Sequence, residues 1–249
     1  MSRSPASWEA MVVHVIFVEG NIGAGKSTLL ERLCADEGSR GYPSVRVLGE
    51  PVASWHNHLR GVYAAAPAVR AAWSLPMQAL AMCTRVEELV GRIDQAEDGS
   101  ILIVERSPAS SEIFADATLG ESGGDGDADG NGDRGSDRSA FQTLARRYRS
   151  ALDEAFRERG AYCAGTIYLR TSPDVCMARV RSRSRRSESG MAREYLEKLH
   201  RMHEAAFGGA ELVADCDAVS PESLAERVRC FVERVGASMR SDRCGDRDM

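Results

Sequence analysis

Five short apolar runs punctuate the chain, at 12–18 (VVHVIFV), 45–48 (VRVL), 101–105 (ILIVE), 165–170 (GTIYLR) and 211–215 (ELVAD). Each has the length of a buried strand and is flanked by glycine, proline or charged residues. Between them, 26–37, 70–96, 140–159, 173–187 and 191–207 have helical character. Strands alternating with long helices predict an α/β fold, a five-stranded parallel sheet covered by helices on both faces. Ligands of such sheets sit beyond the carboxyl ends of the strands. Those ends are polar here: Glu19 and the glycines after it, Glu50-Pro51, Glu105-Arg106-Ser107, Arg170-Thr171 and Asp215-Cys216-Asp217.

One stretch breaks the alternation. Residues 120–139 (GESGGDGDADGNGDRGSDRS) are dominated by Gly, Asp, Ser and Arg. That composition cannot bury a core and predicts a disordered surface insertion. Asp125, Asp127 and Asp129 followed by Gly130 also match the opening of a calcium loop, but Ser136 stands where a bidentate Glu is required. The rest reads as one domain over 12–236, with a flexible extension at 1–11 and a flexible tail at 237–249.

Charge and cysteine usage narrow the class. The net charge of −5 supplies no global attraction to nucleic acid. No apolar run approaches the ~20 residues that cross a bilayer. The opening MSRSPASWEA lacks the apolar core of a secretory signal. Seven cysteines at irregular spacing, with no C-x-x-C pair, predict reduced thiols and a cytoplasmic location rather than disulfides or zinc.

The first strand runs directly into VEGNIGAGKST, residues 18–28. Gly20, Gly25, Lys26 and Ser27 match G-x-x-x-x-G-K-[ST], and a good helix follows over 27–34. Glycines let backbone N–H groups approach an anion. Lys26 then reaches the outer phosphates of a nucleoside triphosphate, and Ser27 holds Mg²⁺. Further candidates sit at the other strand tips. Glu50, locked by Pro51, is placed to accept a proton from an attacking hydroxyl. Trp55 either flanks a flat ligand or joins the core. Glu105 can orient Mg²⁺ and Arg106 can bind phosphate, or the two can form a surface ion pair.

The run ARVRSRSRRSESG places arginines at 179, 181, 183, 185 and 186. On one helix, 179, 183 and 186 share a face, and 181 and 185 form a second stripe. Five neighbouring cations repel unless an anion lies between them, and Arg grips phosphate oxygens well. A lid over a triphosphate, a solvated basic patch and a nucleic-acid-binding segment all remain open on spacing alone.

The stretches VEGNIGAGKST, GEPVASW, SLPMQ, VERS, TIYLRTSPDVCMARVRSRSRRSE and EYLEKLHRMHEAAF cover most of 12–217. With them the chain resembles the deoxyribonucleoside kinase family, which includes deoxycytidine, deoxyguanosine and mitochondrial thymidine kinases, with herpesvirus-type thymidine kinases more distant. The resemblance implies a P-loop kinase fold with an arginine-rich lid, ATP and Mg²⁺ as cofactors, and a homodimer. It implies that Gly20, Asn21, Ile22, Gly23, Ala24, Gly25, Lys26, Ser27 and Thr28 cradle the phosphates, with Ser27 and Glu105 at the metal. Glu50 becomes the base for the nucleoside 5′-hydroxyl, with Arg106 beside it. Trp55, Gln78 and Phe114 enclose the base; Tyr63 and Glu188 hold the 3′-hydroxyl. Arg179, Arg181, Arg183 and Arg185 form the lid, and the backbone of Asp215 and Cys216 meets adenine.

The match has departures. Met77 replaces an aromatic residue before Gln78, and ERSPASSEIF is one residue shorter than the family pattern. Ala81 and Arg85 follow the deoxycytidine and deoxyguanosine kinase arrangement, with Arg85 at the base. The aspartate that partners that arginine is replaced by Ser110 or Ser111. Base preference therefore stays open between thymidine, deoxycytidine and a broad range. The expected activity is phosphorylation of a deoxyribonucleoside at its 5′-hydroxyl, without nucleic acid or membrane partners. A P-loop kinase for nucleoside monophosphates or another small molecule, and a nucleoside-triphosphate-regulated nucleic-acid-binding module, are the alternatives.

Overall fold

Residues Val13–Gly20 form strand β1, and all eight are buried. A strand buried on both faces needs partners on both edges and cover above and below. The computed structural model describes residues 12–34, 45–63, 67–119 and 134–245 and supplies all of these. The chain continues through α1 (Lys26–Cys34), β2 (Val45–Leu48), α2 (His56–Val62), α3 (Pro67–Asp94), β3 (Ile101–Glu105) and α4 (Pro108–Leu119). After the break come α5 (Arg134–Arg159), β4 (Ala161–Arg170), α6 (Pro173–Arg183), a 3₁₀ turn at Arg186–Glu188, α7 (Arg193–Phe207), β5 (Leu212–Asp215) and α8 (Pro221–Gly245). The five strands form one sheet in the order β2-β3-β1-β4-β5, and every pair is parallel.

The period of two along the strands splits the core. Ile16, Val18, Ile101, Ile103, Ile167 and Leu169 face α1 and α8 and pack on Leu29, Leu30, Val228 and Phe231. Val13, Val15, Phe17, Leu102 and Val104 face the opposite side and pack on Leu89 and Ile93 of α3 and Leu152 of α5. A third cluster joins Ile22 of the P-loop, Ile113 and Phe114 of α4, Met177 and Val180 of α6, and Leu196 and Leu199 of α7. That cluster ties the walls of the site to one another.

The five apolar runs become the five strands, with one notable extension. β4 begins at Ala161, well before 165, because its pairing with β1 slips between Val15/Ile16 and leaves Ala164 as an extra residue. Gly165, at φ +153°, accommodates that bulge and interrupts the apolar run. Helices α2, α4 and α8 were not among the expected segments. α8 continues through 237–245, so those residues extend a helix instead of opening a tail. Residues 134–139, assigned to the insertion, begin α5. The extension at 1–11, the calcium-like run at 125–130 and residues 246–249 lie outside the described residues. No helix among the described residues is long and apolar enough to cross a membrane.

Candidate active site

β1 delivers the glycine loop to the carboxyl edge of the sheet. Gly23 adopts φ +80°, and a Cβ there would lie 2.6 Å from the Cys176 carbonyl oxygen, so α6 packs directly on the loop backbone. Asn21 anchors the loop from behind: its Nδ2 donates to the Leu196 carbonyl at 2.9 Å and its Oδ1 accepts from the Ile22 amide at 2.8 Å. Lys26 is buried, and its Nζ donates to the carbonyls of Gly20 at 3.0 Å and Asn21 at 2.9 Å. Burial, reinforced by the nearby Arg106 cation, brings the ammonium down to about 8. Ser27 Oγ stands 3.3 Å from both oxygens of Glu105.

The end of β3 turns sharply. Arg106 sits at φ +67°, a left-handed conformation rare for a side-chain-bearing residue. Neighbours on a strand would point to opposite faces; this twist lets both Glu105 and Arg106 line the same cavity. Glu19, wholly buried, secures the turn: its carboxylate accepts from the Ser107 amide at 2.7 Å and from Ser110 Oγ. Arg106 Nη1 donates to the Gly20 carbonyl at 2.9 Å, its Nε lies 3.1 Å from Glu50 Oε1, and its guanidinium sits 4.7 Å over the Phe114 ring. Glu50 also pairs with Arg85. Burial pushes the Glu50 carboxyl up, but the guanidinium groups of Arg85 and Arg106 and the Lys26 ammonium outweigh it and hold the group well below the usual carboxylate range.

These groups open into one cavity of about 440 Å³. One end is polar, with Gly23, Gly25, Lys26, Ser27, Thr28, Glu31 and Glu105. The other is a slot between Trp55, Leu59, Val62, Met77, Ala81 and Phe114. Gln78 is only 5 % exposed and lines this slot, yet its amide has no hydrogen-bond partner among the described residues. An amide that faces a cavity and lacks a protein partner is ready to meet a ligand edge. Trp55 is set by its Nε1, which donates to Thr84 Oγ1 at 3.0 Å. Tyr63 at the end of α2 also lines the slot; burial and the Glu188 carboxylate push its phenol up.

The arginine-rich segment from α6 to the 3₁₀ turn borders the same cavity. Arg179 Nη1 donates to the Ala24 carbonyl at 3.1 Å, and its Nη2 donates to the Cys216 carbonyl at 2.9 Å. Arg183 makes a two-point pair with Glu188, at 2.8 and 2.7 Å. Arg179, Arg183, Arg185 and Glu188 all line the cavity. A P-loop, a carboxylate clamped by arginines, an apolar slot with one free amide and an arginine lid thus share one space.

The deoxynucleoside kinase profile matches residues 16–126 and 131–230. The chain belongs to the deoxynucleoside kinase family. It is 32 % identical to the thymidine kinase of Ictalurid herpesvirus 1 over 216 residues, covering 86 % of this chain and 83 % of the relative. It is 29 % identical to human deoxycytidine kinase over 227 residues, covering 80 % and 77 %. Human mitochondrial thymidine kinase 2 is 30 % identical over 195 residues, covering 76 % of this chain and 63 % of the relative.

Not every expected residue of this kinase reaches the cavity. Gly20, Asn21 and Ala24 shape the loop from behind, through backbone and core contacts. Arg181 does not line the cavity. α6 ends at Arg183, and Ser184 caps it in the left-handed region at φ 50°. The chain turns there, so the two helical stripes do not exist as such: Arg185 joins the cavity, whereas Arg181 and Arg186 border an outer groove with His56 and Arg60. Asp215 and Cys216 also lie outside the cavity lining. Asp215 pairs with Arg170 at 3.3 Å, and the Cys216 amide and carbonyl are used by the Arg170 carbonyl and by Arg179. Sequence reasoning noted Glu19 only as a polar strand end, without a role, and did not single out Glu31. Glu19 carries a signal in retrospect: a carboxylate closing an apolar strand directly before a glycine loop.

Proposed function

We propose that this kinase transfers the γ-phosphoryl group of ATP to the 5′-hydroxyl of a deoxyribonucleoside, giving the 5′-monophosphate. The observation that carries the reading is the placement of Glu50 between the P-loop lysine and the apolar slot that holds the free Gln78 amide. A nucleoside seated with its base against Gln78, between Trp55 and Phe114, presents its sugar to Glu50, Tyr63 and Glu188. Glu50 takes the proton of the 5′-hydroxyl as that oxygen attacks phosphorus. Lys26 and the lid arginines Arg179, Arg183 and Arg185 stabilise the charge on the transferring group. Mg²⁺ suits the donor set, since it is bound by one or two oxygen side chains together with substrate phosphates. Ser27 and Glu105 would hold it, and it would neutralise charge between the β- and γ-phosphates. Among the described residues no group of three or more His, Cys, Asp or Glu side chains gathers as a metal cage.

The resemblance also favours a homodimer, to be checked by light scattering. Cys34, Cys83, Cys163, Cys176, Cys216 and Cys230 are reduced thiols, which fits a cytoplasmic setting. Purified protein with ATP and Mg²⁺, offered thymidine and the other natural deoxynucleosides in parallel, tests the activity; formation of the monophosphate supports it. Turnover of nucleoside monophosphates with none of nucleosides overturns it. Glu50→Gln should keep the fold and nucleoside binding but lose about a hundredfold or more in kcat. Undiminished kcat in that variant removes Glu50 from the role.

A further inference from the structure

Arg85 was expected at the nucleobase, yet the structure ties it to Glu50. One guanidinium nitrogen, Nη1, donates to Ser111 Oγ at 2.7 Å, and the other, Nη2, pairs with Glu50 Oε1. The guanidinium also lies 5.1 Å from the Trp55 ring centre. Ser111 is wholly buried on α4, so it is a fixed post. A serine has no charge with which to hold an arginine, and the nearest carboxylate able to do so is Glu50.

Both cations grip the same atom. Arg106 Nε and Arg85 Nη2 converge on Oε1, and Oε2 accepts no hydrogen bond from the described residues. A carboxylate held through one oxygen keeps its other oxygen free and fixed in direction. We propose that Arg85, set by Ser111, is a positioning residue for Glu50: with Arg106 it immobilises Oε1 and presents Oε2 to the nucleoside hydroxyl, leaving recognition of the base edge to Gln78. This rests on the reading of Glu50 as the base. The charged and titratable groups that face Glu50 are Arg85 from α3, Arg106 after β3, Lys26 from α1 and Tyr63 at the end of α2. Removing the Arg85 cation removes stabilisation of the carboxylate, so Glu50 takes up a proton at higher pH.

The test is the pH profile of kcat for wild type, Arg85→Met, Arg85→Lys, Ser111→Ala and Glu50→Gln, each with thymidine and with deoxycytidine. Thermal melts establish that each variant is folded. In Arg85→Met the acid limb should move up by about one pH unit, so kcat at a pH on that limb falls about tenfold while the high-pH plateau changes less. Arg85→Lys, which keeps the charge, should return the limb toward wild type. Ser111→Ala should move it in the same direction as Arg85→Met by a smaller amount, and serves alone if Arg85→Met does not fold. Both nucleosides should respond alike. The proposal is overturned if Glu50→Gln is inactive but the limb of the Arg85 and Ser111 variants stays in place. It is equally overturned if Arg85→Met alters only the ratio between the two bases. An active Glu50→Gln strikes at the underlying reading instead.

Discussion

Gly190 seats the turn that carries Glu188 against α2. It follows the 3₁₀ turn Arg186–Glu188 and packs on the end of α2, where a Cβ would come within 2.2 Å of the Tyr63 carbonyl oxygen. That oxygen belongs to the backbone, so no side chain can swing aside. Even to reach the 3.0 Å below which real Cβ atoms are essentially never found, Gly190→Ala must drive the turn and α2 apart by about 0.8 Å. The turn carries Glu188, and the end of α2 carries Tyr63, the two groups assigned to the sugar 3′-hydroxyl. A misplacement near 1 Å costs on the order of a hundredfold when it falls on reacting geometry. Gly190 itself is exposed, but Tyr63 and Met191 beside it pack on the third core cluster, so a modest loss of Tm should accompany the change without unfolding the enzyme at assay temperature. The assay is kcat/KM for a deoxynucleoside and for its 3′-deoxy analogue. The natural substrate should lose close to a hundredfold and the analogue much less, because the analogue never used the displaced groups. A variant within threefold of wild type on the natural substrate would refute the seat between lid and α2.

Two further outcomes follow from other buried contacts. Gly23→Ala combines a strained φ of +80° with a Cβ 2.6 Å from the Cys176 carbonyl, so KM for ATP should rise at least tenfold while nucleoside binding, measured without ATP, holds. His203 is buried without a partner for Nε2, and burial, aided by the Arg106 cation, holds its imidazole at about 3. Below its ordinary value near 6.5 the unfolded chain takes up a proton that the folded chain refuses. The stability it allows is therefore complete above that value and is lost as pH falls toward 3. At pH 5 the loss reaches about 2 kcal/mol, and His203→Gln should shrink the drop in Tm between pH 7 and pH 5. An unchanged drop would show that other groups dominate acid unfolding.

The sheet was legible because its residues obey one strong rule. A strand buried on both faces becomes a near-unbroken apolar run, as β3 does, and even the half-buried edge strand β2 begins and ends where its run does. Helices were less legible where both their sides are covered. α4 buries Ser110, Ser111, Ile113, Phe114, Ala115 and Ala117, so no single stripe announces it. α8, by contrast, has a plain stripe at Leu224, Val228, Phe231 and Val232, a signal that was there to be read. At the site, Lys26, Ser27, Glu50 and Arg106, singled out by local motifs, line one cavity. What spacing could not convey was the end of α6. The left-handed cap at Ser184 is a single backbone choice, and it redirects the chain so that Arg185 reaches the rim of the cavity while also bordering the outer groove. Nor could it convey which carboxylate Arg85 finds, since that depends on three elements meeting.

The central position of β1 also governs how the molecule comes into being on the ribosome. One edge of β1 is completed by β3, in which Ile101 pairs with His14, and the other by β4, in which Ala161 pairs with Val13. During synthesis the longest wholly buried strand therefore emerges first and waits for both neighbours, the second separated from it by more than half the chain. Until β4 is made, a nascent chain carries an open, sticky strand border of the kind that invites pairing with other chains. Chaperone engagement should concentrate in that interval, and premature termination before Ala161 should yield aggregates rather than a smaller working enzyme.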